Sequence, residues 1–138
     1  MSAPRFAGVD ALLADARGRL TRITPGEAYQ RMATGDGLVD IRPEWQRRAA
    51  GEVPGALVVE RNHLEWRLDP NSPARSEHAR PGRRWIVICA EGFTSSLAAD
   101  ALNSIGVPAT DVIDGYSAWR AQGLPTRRSV TAVDEVVS

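Results

Sequence analysis

The chain has 138 residues, a formal net charge of zero and a single cysteine, Cys89. This length suits one domain with its own core, and a lone cysteine excludes an internal disulfide. The balanced charge argues against the basic surfaces that bind nucleic acid or anionic membranes, and no apolar run approaches the ~20 residues of a membrane span. We therefore expect a cytoplasmic protein with no nucleic-acid or membrane partner.

The N-terminal part of the chain predicts two helices. Residues 9–20 carry apolar side chains at helical spacing, and we expect residues 1–20 to form an N-terminal helical extension. Thr24 and Glu27 have the spacing of a capping box, and Pro25 suits the first position of a helix. A second helix is therefore predicted to follow Thr24 and to end at Gly35.

Four short apolar runs follow and predict strands, with helical segments between them. The runs are continuous rather than alternating, which is typical of strands buried on both faces; they lie near residues 37–41, 56–60, 84–89 and 110–114. The clearest helix between them covers about residues 95–106. Alternating strands and helices predict an α/β domain with a mainly parallel sheet, which we place at residues 21–126 with a C-terminal tail at 127–138. The tail is either a docked edge segment or a frayed end.

The ends of these strands select the candidate functional residues. Ligands of open parallel sheets bind outside the carboxyl ends of the strands. The first strand brings Asp40 and Arg42 to this edge, the second brings Arg61, and the third brings Cys89. The only thiol of the chain is therefore predicted to lie near candidate arginines.

The loop after Cys89 contains small residues and a central glycine. It consists of Ala90, Glu91, Gly92, Phe93, Thr94 and Ser95. A loop between a strand and a helix can turn its N–H groups inward, and the helix adds its positive N-terminal end. Both effects favour a thiolate over a thiol and would stabilise an anionic sulfur carried on Cys89. We expect Ser95 or Ser96 to cap the helix. The alternative is that Cys89 is a buried apolar residue.

Four motifs occur in order along the chain. They are "LVDIR" at 38–42, Gly-x-x-Pro-Gly-Ala at 51–56, Cys-x-x-Gly-x-Thr-Ser at 89–95, and Gly-x-x-x-Trp-x-x-x-Gly-x-Pro at 115–125. Their types and spacing resemble those of the rhodanese-like (sulfurtransferase) family over about residues 23–125. Cys89 stands at the position of the family's catalytic cysteine, and Thr94 stands where many members have a loop arginine.

The resemblance implies a three-layer fold with a central sheet of about five strands flanked by helices. It also implies that Cys89 takes a sulfane sulfur from thiosulfate or a persulfide donor and becomes a persulfide. The acceptor would be cyanide in an assay, and a small thiol or a protein in the cell. No cofactor and no metal are implied. Because the loop has no arginine and Glu91 lies near the entrance, we expect weak binding of a dianionic donor. Phe93 is expected to form an apolar collar at the entrance.

Several roles remain open at this stage. Arg42 faces the pocket or braces the loop by pairing with Asp40 or Glu44; Arg61 contacts an anionic donor or lies on the surface. A cysteine phosphatase needs an arginine six positions after the cysteine to bind an oxyanion, and that position is Ser95, which excludes this activity. A non-catalytic or regulatory module that binds a partner or senses reactive sulfur stays the alternative to an enzyme.

Overall fold

A computed structural model describes residues 2–128 and 130–134, and in these residues strands and helices alternate along the chain. The elements are α1 (Val9–Gly18), α2 (Pro25–Ala33), β1 (Gly37–Asp40), α3 (Glu44–Ala50), β2 (Leu57–Val58), a 3-10 turn (Arg61–His63), α4 (Leu64–Leu68), β3 (Trp85–Ile88), α5 (Thr94–Ser104), β4 (Ala109–Asp111) and α6 (Gly115–Ala121). The predicted α/β class is confirmed.

The sheet is parallel, with the strand order β2-β1-β3-β4. Strand β1 lies between β2 and β3, and Val39 pairs with Leu57 on one side and with Val87 on the other. Within the described residues the sheet has four strands rather than about five. Ile23 adds a single parallel bridge to Val112 beyond β4, so the edge is extended by one residue rather than by a full strand.

Each face of the sheet carries its own hydrophobic core, which gives the three layers. Alternate strand residues point to opposite faces. Val39 and Val87 pack with residues of α4 and α5 on one face, whereas Leu38 and Ile86 pack with residues of α2 and α6 on the other. Both central strands are buried throughout, which explains why their sequences are continuous apolar runs rather than alternating ones.

Helix α2 begins at Pro25, directly after the predicted N-cap residue Thr24. The Thr24 hydroxyl accepts a hydrogen bond from the Glu27 N–H, and the Glu27 carboxylate accepts one from the Thr24 N–H. This capping box was predicted. Of the tryptophans, Trp85 and Trp119 are buried in the two cores, whereas Trp45 lies on the surface.

The described part of the C-terminal tail is docked against the domain. Arg127 forms an antiparallel bridge with the buried Glu52, and the Glu52 carboxylate accepts hydrogen bonds from the N–H and hydroxyl of Thr131. The Asp134 N–H donates to the Val58 carbonyl at 2.8 Å. Ser129 and residues 135–138 of the predicted tail lie outside the described residues. Among the described helices, none has the length and apolar character to cross a membrane.

Candidate active site

Cys89 follows β3 directly and lies at the base of a cavity at the carboxyl end of the sheet. Only 4% of the residue is exposed. The cavity has a volume of about 500 Å³ and is lined by Ile41, Arg42, Pro43, Gln46, Cys89, Ala90, Glu91, Phe93, Thr94 and Ser117. The thiol is therefore largely buried and still borders a space that a small molecule could enter.

The sulfur of Cys89 receives a hydrogen bond from its own loop. The Gly92 N–H donates to Sγ across 3.2 Å. Gly92 has a φ of +85°, and a Cβ at this position would lie 2.8 Å from the Asp114 nitrogen, so the turn requires glycine. Helix α5 begins two residues later, at Thr94. An N–H that points at sulfur and a positive helix end both stabilise negative charge there.

Helix α6 holds the first residues of the loop. The Tyr116 N–H donates to the Cys89 carbonyl at 2.8 Å, and the Ser117 N–H donates to the Ala90 carbonyl at 3.0 Å. A Cβ on Gly115 would lie 2.4 Å from the Cys89 carbonyl oxygen, and φ at Gly115 is +58°. The backbone of α6 therefore approaches the cysteine more closely than any side chain would allow.

Asp40 and Arg42 form a buried ion pair on the cavity wall. Arg42 Nε lies 3.0 Å from Asp40 Oδ1, and Nη2 lies 2.7 Å from Oδ2. Arg42 also donates to the Gly51 carbonyl at 2.9 Å, and its guanidinium lies 4.0 Å from the centre of the Tyr116 ring. Each of the two side chains is only 1% exposed. These contacts are those of a brace, which is one of the two roles considered for Arg42.

The other side of the loop is organised by Asp111 at the end of β4. This residue is completely buried, so its carboxylate needs hydrogen-bond donors. Ser95 and Ser96 supply them, with hydroxyl–Oδ2 distances of 2.7 and 2.8 Å. The predicted capping role of these serines is wrong, because α5 starts at Thr94 with Phe93 at the cap position and no side-chain cap bond. Their hydroxyls are used by the buried carboxylate instead.

Two arginines that sequence reasoning missed also contact the loop. Arg22 pairs with Asp111 through Nε at 2.9 Å and donates to the Gly92 carbonyl at 3.0 Å. Arg17, in α1, donates to the same carbonyl at 2.7 Å and to Ser96 Oγ at 3.1 Å. The signal available in the sequence was weak: an aspartate at the end of an apolar strand, and arginines some 70 residues before the loop.

Comparison with known proteins identifies the family. The family model for the rhodanese-like domain matches residues 24–122. The chain belongs to the rhodanese-like family. The match begins after α1, so the helix that carries Arg17 lies outside the part that the family model covers.

Solved structures include rhodanese-like proteins with the same fold. A protein of Rhodopseudomonas palustris, described as of unknown function and a possible tyrosine phosphatase, is 28% identical with a TM-score of 0.81 and covers 92% of this chain and 99% of its own. A rhodanese homologue of Thermus thermophilus is 26% identical with a TM-score of 0.52, covering 70% and 98%. A thiosulfate sulfurtransferase of Pseudomonas aeruginosa is 24% identical with a TM-score of 0.65; the match covers 81% of this chain and 20% of that one, and supports the fold alone. No curated protein sequence matches the chain.

The remaining candidate residues of this rhodanese-like domain separate into two groups. Glu91, Phe93 and Thr94 are exposed and line the cavity around Cys89. Phe93 is 59% exposed at the edge of the cavity, and its role as an apolar collar stays a prediction. Arg61 is not among the lining residues; it lies in the 3-10 turn before α4, and its guanidinium donates to Glu65 of α4 at 2.8 Å in a partly exposed pair. The structure therefore does not bring Arg61 to Cys89.

Proposed function

We propose that the protein is a sulfurtransferase that carries a sulfane sulfur as a persulfide on Cys89. The observation that carries this proposal is the position of Sγ, which borders the cavity and lies 3.2 Å from the Gly92 N–H. A free thiol of this kind also suits the reducing cytoplasm, which is the compartment that we propose.

The reaction has two displacement steps. In the first, the Cys89 thiolate attacks the outer sulfur of thiosulfate or of an organic persulfide. The sulfur–sulfur bond of the donor breaks, and sulfite or a thiolate leaves with the electron pair. In the second, cyanide or an acceptor thiolate attacks the terminal sulfur of the Cys89 persulfide, and the Cys89 thiolate leaves. The Gly92 N–H stabilises negative charge on the sulfur in both steps.

The charges around the cavity favour an organic persulfide over the thiosulfate dianion. Among the described residues that line the cavity, Arg42 is the one arginine, and its guanidinium is occupied by Asp40 and the Gly51 carbonyl. Glu91 adds a carboxylate at the cavity wall. A dianion would therefore meet a negative charge without an unoccupied arginine to offset it. A small thiol or a protein thiol is the proposed acceptor in the cell.

A phosphatase activity does not fit this loop. The Rhodopseudomonas palustris protein is described as a possible tyrosine phosphatase, and that chemistry needs an arginine that clamps the phosphoryl oxygens from within the loop. In this chain the corresponding residue is Ser95, and its hydroxyl donates to the buried Asp111. The side chain is used to brace the loop and carries no positive charge.

The test of the proposal is turnover. The protein is mixed with cyanide and either thiosulfate or an organic persulfide, and thiocyanate formation is followed for the wild type and for Cys89→Ser. We expect turnover in the wild type above the uncatalysed reaction of cyanide with the donor, faster with the organic donor, and only the uncatalysed rate in Cys89→Ser. Equal rates in both proteins would refute the catalytic role of Cys89.

The alternative is a regulatory rhodanese-like module that binds a partner or senses reactive sulfur. The observation that favours it is Phe93, an exposed aromatic side chain at the cavity entrance. Such a module would form the Cys89 persulfide without releasing thiocyanate at a useful rate. A stable persulfide in the absence of turnover would therefore support the sensor and contradict the enzyme.

A further inference from the structure

Both backbone polar groups of Gly92, which belong to two successive peptide groups, are hydrogen-bonded. Its N–H donates to Cys89 Sγ at 3.2 Å. Its carbonyl accepts hydrogen bonds from Arg17 Nη2 at 2.7 Å and from Arg22 Nη2 at 3.0 Å. Both donors are guanidinium groups, which form stronger hydrogen bonds to a carbonyl than neutral donors do. One glycine therefore links the sulfur to two charged groups outside the loop.

Gly92 is the residue of the loop most in need of such restraint. Glycine has a wide range of backbone conformations, and this one adopts a φ of +85°. Rotation about φ or ψ of Gly92 would turn its N–H away from Sγ. In a trans peptide the C=O and the following N–H point in opposite directions. Arginines that fix the Gly92 carbonyl therefore also direct the Phe93 N–H away from themselves.

The two arginines are themselves fixed by buried partners. Arg22 is paired with Asp111 through Nε at 2.9 Å and Nη2 at 3.1 Å, and Asp111 is completely buried at the end of β4. Arg17 Nε donates to Ser96 Oγ, which in turn donates to Asp111 Oδ2. The carboxylate thus orients both guanidinium groups, while each keeps an N–H for the Gly92 carbonyl.

We propose that Arg17 and Arg22 are positioning residues of the sulfur-transfer site, which hold the Gly92 carbonyl and thereby fix the turn that aims the Gly92 N–H at the sulfur of Cys89. The consequence for sulfur transfer rests on the proposed function, whereas the effect on Cys89 reactivity does not. The N-terminal segment that contains both arginines is therefore part of the active site rather than a separate extension. No atom of either arginine needs to touch the substrate.

The experiment compares Arg17→Met with Arg19→Met. Arg19 lies on the surface and pairs with Asp100 of α5 at 2.8 Å and with Asp15 at 2.7 Å. Its replacement therefore removes a side-chain contact to α5, as Arg17→Met does, but leaves the contacts to the loop in place. The rate of Cys89 alkylation by iodoacetamide is measured across pH, together with the thermal midpoint of unfolding. Charged groups around Cys89 include Arg42 with Asp40 and Glu91 on the cavity side, and Arg17, Arg22, Asp111 and Asp114 around the loop; in Arg17→Met all of them except Arg17 are unchanged.

We expect Arg17→Met to slow alkylation about three- to tenfold near neutral pH, the scale of a lost charge-assisted hydrogen bond, and to move the pH profile of alkylation to higher pH. Arg19→Met should keep the wild-type rate and profile. Arg22→Lys serves as a second variant, because lysine keeps the charge beside Asp111 but cannot bind Asp111 and the Gly92 carbonyl in the same bidentate manner. It should also slow alkylation.

Three results separate the explanations. Wild-type alkylation in both Arg17→Met and Arg22→Lys would overturn the proposal. Equal slowing by Arg17→Met and Arg19→Met would overturn it as well, since the effect would then come from the packing of α1. If the wild type transfers no sulfur from any donor but the alkylation rates differ as expected, the positioning role stands and the proposed function falls.

Discussion

Two buried aspartate–arginine pairs lie on either side of the Cys89 loop, and they are built differently. Asp40 ends β1 and Arg42 follows it two positions later, and each side chain is 1% exposed. Asp111 ends β4 and pairs with Arg22, 89 positions earlier. Arg22 is 16% exposed while its aspartate is fully buried. The first pair borders the cavity, and the second lies behind the loop.

The difference in their remaining contacts shows what each pair does. Arg42 uses its other hydrogen bond for the Gly51 carbonyl and packs on the Tyr116 ring, so it stabilises the wall of the cavity. Arg22 uses its other contact for the Gly92 carbonyl, inside the loop that surrounds the sulfur. The Asp40 pair therefore fixes the wall of the cavity, and the Asp111 pair fixes the loop backbone beside the sulfur of Cys89.

Removal of Arg42 is the largest perturbation that this comparison predicts. Arg42→Met leaves the carboxylate of Asp40 buried without its partner, and we expect a loss of about 3–5 kcal/mol in the free energy of unfolding. Urea denaturation measures this loss. Arg48→Met is the matched control, because Arg48 and Glu44 form an exposed pair; it should change stability by less than about 1 kcal/mol. A similarly small loss in Arg42→Met would mean that the Asp40 pair is not structural.

Replacement of Asp111 should act on the loop rather than on the cavity wall. Asp111→Asn removes the charge that orients Arg22 and weakens the acceptor of Ser95 and Ser96. We expect a stability loss of about 1–3 kcal/mol together with slower alkylation of Cys89. Asp100→Asn, which changes a partly exposed carboxylate on α5, should leave the alkylation rate unchanged. If Asp111→Asn loses stability but Cys89 keeps its wild-type alkylation rate, Asp111 does not control the conformation of the loop around the sulfur.

Glu91 gives the smallest predicted effect, on the cavity side. Glu91→Gln keeps the shape of an exposed residue that lines the cavity and removes its negative charge. We expect kcat/KM for thiosulfate to rise about two- to threefold at low ionic strength and the gain to shrink in high salt. An organic persulfide with an uncharged carbon group carries at most one negative charge and should gain less than the thiosulfate dianion. Glu77→Gln, at an exposed position between α4 and β3, is the control. An equal gain in that variant would show that Glu91 has no specific role in substrate recognition.

The parts of the site that are local in sequence were predictable. Asp40 and Arg42 are two residues apart, so a strand end followed by a short turn brings them together. Cys89 and its loop follow from a buried strand, a glycine and a helix. Gly115 belongs to a recognisable motif, although the close approach of its backbone to Cys89 appears only in three dimensions.

The long-range part of the site was not predictable from patterns. No periodicity or spacing rule joins Arg22 to Asp111 or Arg17 to Gly92, because these contacts depend on how α1 packs against α5 and on the end of β4. The serines show the same limit: Ser95 and Ser96 are good capping residues by type, but a buried carboxylate needs their hydroxyls more than the solvent-accessible start of α5 does. The strand count differed for a similar reason, since Ile23 makes only one bridge.

The central claim is that Cys89 carries the transferred sulfur, and mass spectrometry of the intact protein tests it most directly. After exposure to an organic persulfide or to thiosulfate, the wild type should gain one sulfur on Cys89, and cyanide should remove it with the release of one equivalent of thiocyanate. Cys89→Ser has no thiol and should gain none. Absence of the adduct with every donor would contradict the account.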